Sequence, residues 1–327
     1  MKKRSATAVA SPNIAFIKYW GNHIPELNIP SNGSISMNLK GLKTETTVEF
    51  DNQLEDDVLI FGNKPQEGEA LQRVTRLLDR VREFSGNSCC AVVHSRNNFP
   101  AGTGIASSAS AFAALSLAAC CAAGLNLSES ELSRLARLGS GSACRSIPEG
   151  FVEWQAGTDD LSSYAKSIAP ADYWGLVDCI VILSKSHKSI GSKEGHSFAE
   201  SSPFQAVRIQ QAPERLKICR KAIITRDFDQ FASIVELDSN MMHAVIMTSN
   251  PSTIYWHPTT ITVINEVINM RRTGIPVCYT IDAGPNVHVI CLKESKSQVC
   301  SNLNDLPGVI DIISSYPGGP AQCTERS

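Results

Sequence analysis

Apolar and polar residues alternate with period two over 34–39 and again over 44–50, which predicts two antiparallel strands. Residues 6–20 read as a strand, a break at Pro12 and a second short strand, with a loop over 21–30. Over 67–84 the period changes to that of a helix. Ala70, Val74, Leu77, Leu78, Val81 and Phe84 fall on one face, and Gly86 stops it. A β-prone run at 90–94 precedes a small-residue helix over 109–123, ended by Gly124. That apolar run is too short and too alanine-rich to cross a bilayer, so it reads as a buried helix. Ser128-Glu129-Ser130-Glu131 is a capping box that opens a helix to 138. Gly139 to Ser142 break that helix, and 150–154 reads as a strand. The second half begins with a buried strand over 176–183 and a polar loop over 184–202. Helices follow over 213–224, 227–247 and 258–272, then strands over 277–282 and 287–292.

The 327 residues suffice for one large or two ordinary domains. The strand-rich half ends near residue 184, which predicts domains over 1–184 and 185–327. No Pro/Gly/Ser linker separates them, so the halves are expected to share an interface. A net charge of −2 excludes a basic nucleic-acid surface. Eleven cysteines without C-x-x-C spacing fit reduced thiols in a cytosol better than a disulfide framework or a zinc site. The N-terminal stretch lacks the apolar core and cleavage site of a leader, so a cytoplasmic protein without membrane attachment is expected.

Four stretches carry candidate chemistry. Asn97-Asn98-Phe99-Pro100-Ala101-Gly102-Thr103-Gly104-Ile105-Ala106-Ser107-Ser108 is a glycine loop feeding a helix. Gly102 and Gly104 permit close backbone approach, and free N–H groups at a helix start favour phosphate. No lysine follows the second glycine as in a Walker loop, and no G-x-G-x-x-G is present; a plain turn with a helix cap stays open. Asn13-Ile14-Ala15-Phe16-Ile17-Lys18-Tyr19-Trp20-Gly21 sets a lysine at a strand end, where most lysines are simply solvated. Gly139-Ser140-Gly141-Ser142-Ala143-Cys144-Arg145-Ser146 offers hydroxyls and a guanidinium fork for a carboxylate or phosphate. Pairing of Arg145 with Glu149 or Glu153 is equally open from spacing alone. In Tyr279-Thr280-Ile281-Asp282-Ala283-Gly284-Pro285 the aspartate is either a base or a turn cap.

The loop resembles the phosphate loop of the GHMP small-molecule kinases. Together with the other three stretches and Gly150-Phe151-Val152-Glu153-Trp154, it closely resembles the mevalonate diphosphate decarboxylase family, in the family's order from Ala10 to about Pro320. The resemblance implies an α+β, two-domain GHMP kinase fold with the active site in the interdomain cleft. It implies ATP and Mg2+ as cofactors, a phosphorylated mevalonate as substrate, and a homodimer. By position it implies Asp282 as the base or orienting carboxylate, Lys18 beside the transferring phosphoryl and Arg145 on the substrate carboxylate. Asn13, Tyr19, Ser140, Ser142, Ser192 and Lys193 would bind substrate. Asn98, Gly102, Thr103, Gly104, Ser107 and Ser108 would bind ATP, with Ser108 near the metal.

The sequence departs from the family pattern in two places. Gly21 is followed by Asn22 and His23 rather than by cations, and Ala70 stands where relatives carry an arginine. Loss of two cations favours a monophosphate, so the expectation is ATP-dependent decarboxylation of (R)-5-phosphomevalonate to isopentenyl phosphate. The alternatives are the diphosphate decarboxylase, a kinase that releases no CO2, and an inactive GHMP binding protein.

Overall fold

The computed structural model describes residues 4–99, 105, 107–185 and 191–326. The first half runs β1 (Arg4–Ala10), β2 (Asn13–Ile17), β3 (Asn22–Ile24), β4 (Ile29–Pro30), β5 (Ser34–Asn38), β6 (Thr44–Asp51), β7 (Val58–Phe61), β8 (Lys64–Gln66) and α1 (Gly68–Ser85). It continues with β9 (Cys90–Asn97), α2 (Ser107–Ala123), α3 (Glu129–Gly139), β10 (Phe151–Trp154) and β11 (Ala165–Ala169). Then come β12 (Leu176–Ile182), α4 (Ser192–Phe198), α5 (Gln205–Thr225), α6 (Phe228–Thr248) and α7 (Pro258–Arg272). The chain ends with β13 (Val277–Thr280), β14 (Val287–Leu292), α8 (Lys296–Asn304), β15 (Asp311–Ser315) and β16 (Gln322–Arg326).

A six-stranded sheet, in the order β16-β1-β6-β9-β7-β8, receives α1 and α2 on one face. The alternation of β6 puts Val48 and Phe50 into that core, against Leu77 and Leu78 of α1 and Ala113 and Ala118 of α2. Helix α2 is buried almost all round, as its uniform small apolar sequence requires. Two four-stranded sheets, β11-β10-β5-β2 and β13-β14-β12-β15, make the rest. Strand β12, on the N-terminal side of residue 184, pairs with β14 and β15. One apolar cluster joins Ile14, Phe16, Ile35 and Met37 to Ile180, Ile290, Phe231 and Val235. The halves therefore share a core, which is why no flexible linker is needed between them.

Three local expectations are corrected. Residues 21–30 form the β3–β4 ribbon with a 3-10 turn over Pro25–Leu27. The polar loop contains α4. Helix α5 begins at Gln205, eight residues before Pro213, which sits inside it. A proline forfeits one backbone bond, and α5 compensates by burying Arg208, Ala212, Arg215, Cys219, Ala222 and Ile223. Strand β16 pairs with β1, tying the end of the chain to its beginning.

Candidate active site

Strand β2 is buried at every residue and delivers Lys18 at its end. The lysine backbone is clamped on both sides. Its N–H donates to Asp238 of α6 at 2.6 Å, and its carbonyl accepts from Arg208 of α5 at 2.8 Å and from Asn32 at 3.0 Å. Asp238 is in turn held by Arg215 at 2.6 Å. The Lys18 ammonium, 1 % exposed, donates to Asp282 at 2.6 Å. Asp282 lies two residues beyond β13 and keeps its side chain 29 % exposed. Burial lowers the Lys18 pKa more than Asp282 raises it. For Asp282, burial pushes the carboxyl up, but Lys18, His288 and Arg145 together hold it below the usual carboxylate range.

Arg145 follows from the 3-10 segment Gly141–Ser146 and is buried. Its Nε and one Nη donate to Asn13 at 3.2 and 3.1 Å, and the other Nη donates to Ser34 at 2.6 Å. Asn13 is itself fixed by donating to Ser146 at 2.8 Å. Neither Glu149 nor Glu153 pairs with Arg145, and Glu153 takes Arg220 instead. Three N–H groups are thus engaged among the described residues, out of the five that a guanidinium carries. Tyr19 donates to Asn22 at 2.5 Å and packs on Trp154 and His196.

These side chains face one cleft of about 830 Å³, lined also by Ser107, Ser108, Ser140, Ser142, Ser192 and Lys193. The Ser108 and Ser140 hydroxyls hydrogen-bond to each other at 3.2 Å on its lining. Lys193, exposed at the mouth of the cleft, donates to Glu69 of α1 at 2.5 Å. Asn98 is not brought to the cleft: its amide bridges Gly41 and Lys43. Gly102, Thr103 and Gly104 lie outside the described residues.

The structure adds lining groups that the sequence reading missed. Arg73, Arg76 and Arg80 come from the polar face of α1, at i, i+3 and i+7, and that spacing was the available signal. His196 of α4 lines the cleft as well. A smaller cavity of about 130 Å³ lies between β6, β7, β9, α1 and α2, and Arg73 lines both. No helix among the described residues is long and apolar enough to cross a membrane.

Residues 10–165 match a family described as the diphosphomevalonate decarboxylase-like N-terminal domain. Residues 179–323 match the mevalonate 5-diphosphate decarboxylase C-terminal domain. The chain is 36% identical over 325 residues to diphosphomevalonate decarboxylase mvd1 of Aspergillus fumigatus, covering 93% of this chain and 80% of that one. It superposes on mevalonate diphosphate decarboxylase from Staphylococcus aureus with a TM-score of 0.92 at 35% identity, covering 99% and 98% of the two chains. A complex of MDDEF with MVAPP, AMPPCP and magnesium gives the same TM-score and identity, over 99% of each chain.

These relatives carry the diphosphate in their names, and they overturn the monophosphate expectation. The expectation rested on Ala70 and Asn22, and the geometry supplies the physical reason for its failure. A helix presents charge by face rather than by position. Arg73, one turn beyond Ala70, and Arg76 and Arg80 beyond it, line the cleft with Lys193. Helix α1 thus brings cations to the cleft although position 70 carries none and borders the smaller cavity instead. With both domains matched in order and the fold shared along its whole length, the chain belongs to the mevalonate diphosphate decarboxylase family.

Proposed function

We propose that the chain decarboxylates (R)-mevalonate 5-diphosphate at the expense of ATP, giving isopentenyl diphosphate, ADP, phosphate and CO2. The observation that carries this reading is the Lys18–Asp282 pair facing the same cleft as a buried arginine that has no carboxylate partner among the described residues.

A tertiary hydroxyl is both a poor nucleophile and a poor leaving group. Asp282, kept ionised by Lys18, orients the 3-hydroxyl and accepts its proton as its oxygen attacks the γ-phosphorus. Lys18 offsets the charge on the transferring phosphoryl. ADP departs, leaving the 3-phosphate. Arg145, aimed by Asn13 and Ser34, holds the substrate carboxylate through the two donors that no described residue takes. The electrons of the breaking C–C bond form the alkene and expel phosphate from the adjacent carbon, so no separate electron sink is required. Ser140, Ser142 and Tyr19 line the substrate's path, while Arg73, Arg76, Lys193 and Ser192 meet the diphosphate.

ATP phosphates belong at Ser107 and Ser108, with the loop Gly102–Gly104 in the role that the resemblance implies. The smaller cavity, bordered by Val93, Phe112 and Leu115, suits the adenine. Among the described residues no cluster of three His, Cys, Asp or Glu could hold a metal. That donor set fits Mg2+ brought by ATP phosphates, with Ser108 and Asp282 at hand, since Mg2+ prefers phosphate and one or two protein oxygens. When bound, Mg2+ neutralises phosphate charge. The resemblance also carries a homodimer into the proposal, and the free thiols support a reducing, cytoplasmic setting.

The test is to supply mevalonate 5-diphosphate and Mg-ATP, identify the product by mass, and count ADP and CO2. Isopentenyl diphosphate with one CO2 per ADP is expected. ADP without CO2 would make the chain a kinase, and neither product would make it a binding protein.

A further inference from the structure

One side chain touches three consecutive residues immediately after Lys18. Nδ1 of His196 accepts from the Gly21 N–H at 2.9 Å. The imidazole stacks on Tyr19 with ring centroids 4.1 Å apart and on Trp20 at 4.6 Å, tilted by 34° and 32°. A backbone N–H can only donate, so Nδ1 is unprotonated in this contact and the neutral ring carries its proton on Nε2. The neighbouring Gly195 tightens the approach, because a Cβ there would stand 2.7 Å from the Trp20 ring.

The two sides of this contact are unequally fixed. Trp20 is buried, and its carbonyl accepts from Gln205 of α5 at 3.1 Å. Helix α4 has seven residues, of which only Gly195 is buried. So short a helix has little stability of its own, and its place is set by what it docks against. Its first two residues are Ser192 and Lys193, both lining the cleft.

We propose that His196 is a positioning residue that clasps α4 to the Tyr19–Gly21 segment and thereby sets Ser192 and Lys193 against the substrate's phosphates. The consequence for substrate rests on the function proposed above; the clasp itself does not. The side chain acts by place rather than by chemistry, so its loss weakens substrate binding more than turnover.

Two variants of the full chain separate its contributions. His196→Phe keeps a ring to stack but cannot accept a hydrogen bond, while His196→Asn keeps an acceptor near the Nδ1 position without the ring. Hydrogen exchange on the ligand-free protein reads the clasp directly. Exchange of the Gly21 amide and of 192–198 should quicken about tenfold in His196→Phe, the scale of one lost hydrogen bond, and return most of the way in His196→Asn. In steady-state kinetics His196→Phe should raise KM for mevalonate 5-diphosphate about tenfold, with kcat changed less than threefold and KM for Mg-ATP unchanged; His196→Asn should recover most of that loss. Unchanged exchange in His196→Phe, or a loss confined to kcat, would overturn the proposal. If the unmodified enzyme does not turn over this substrate, the functional reading fails and the exchange result alone decides the clasp.

Discussion

The floor and the mouth of the cleft both carry cations, but they hold them differently. At the floor Lys18 and Arg145 are buried and clamped by Asp238, Arg208, Asn13 and Ser34. At the mouth Lys193 is 67 % exposed, and its partner Glu69 is equally open to solvent. A buried charge in fixed geometry acts strongly and at one place, whereas an exposed charge is screened and replaceable. The floor is therefore suited to stabilising charge that develops during reaction, and the mouth to attracting charge that the substrate already carries. This contrast explains why the substrate expectation, which turned on charge at the mouth, failed. A charge needed at the mouth can come from any of several turns of α1, but Lys18 and Asp282 meet at a single point.

The sharpest way to break the contrast is Asp282→Asn. It preserves shape while removing the base and its charge, so kcat should fall about 10³-fold or more, measured as ADP release at saturating substrate. Near-normal turnover would mean that the floor does not do the chemistry. Raising the pH tests the same pair without mutation. Burial depresses Lys18, so its proton is lost below the ordinary lysine value of about 10.4, and Asp282 is then left without its counter-charge. A kcat profile should show an alkaline limb below that pH, falling about tenfold per unit. A profile flat to pH 10.4 would contradict it.

Arg145→Lys keeps the charge and discards the fork. With Asn13 and Ser34 left to a point ammonium, kcat/KM should drop about tenfold to hundredfold, since each charged hydrogen bond lost is worth roughly 1.5–3 kcal/mol. An unchanged value would make Arg145 a structural residue. The mouth should respond least per residue. Arg73→Ala with Arg76→Ala should raise KM for the diphosphate about tenfold or more, with little change in kcat. A kcat loss as large as that of Asp282→Asn would erase the distinction between the two regions.

How legible these regions are in the sequence differs for the same reason. The strand into Lys18, the capping box at Ser128 and the amphipathic face of α1 each follow from local periodicity or a paired cap. Helix α4 leaves no such trace, because seven mostly polar residues with one buried glycine show no apolar stripe. Arg73, Arg76 and Arg80 did leave a trace, as a basic row on the polar side of α1. A residue-by-residue comparison at position 70 does not register that row, because a helix supplies charge by face. The clamps on Lys18 were out of reach altogether. Asp238 and Arg208 lie 220 and 190 residues away in the chain, and only the fold brings them to its backbone.

Calorimetric titration of mevalonate 5-diphosphate into the unmodified protein, Asp282→Asn and the Arg73→Ala/Arg76→Ala variant tests the division of labour most directly. The account predicts that the first two bind with dissociation constants within about threefold of each other and that the third is weaker by about tenfold or more. No binding by the unmodified protein, or a loss confined to Asp282→Asn, would contradict it.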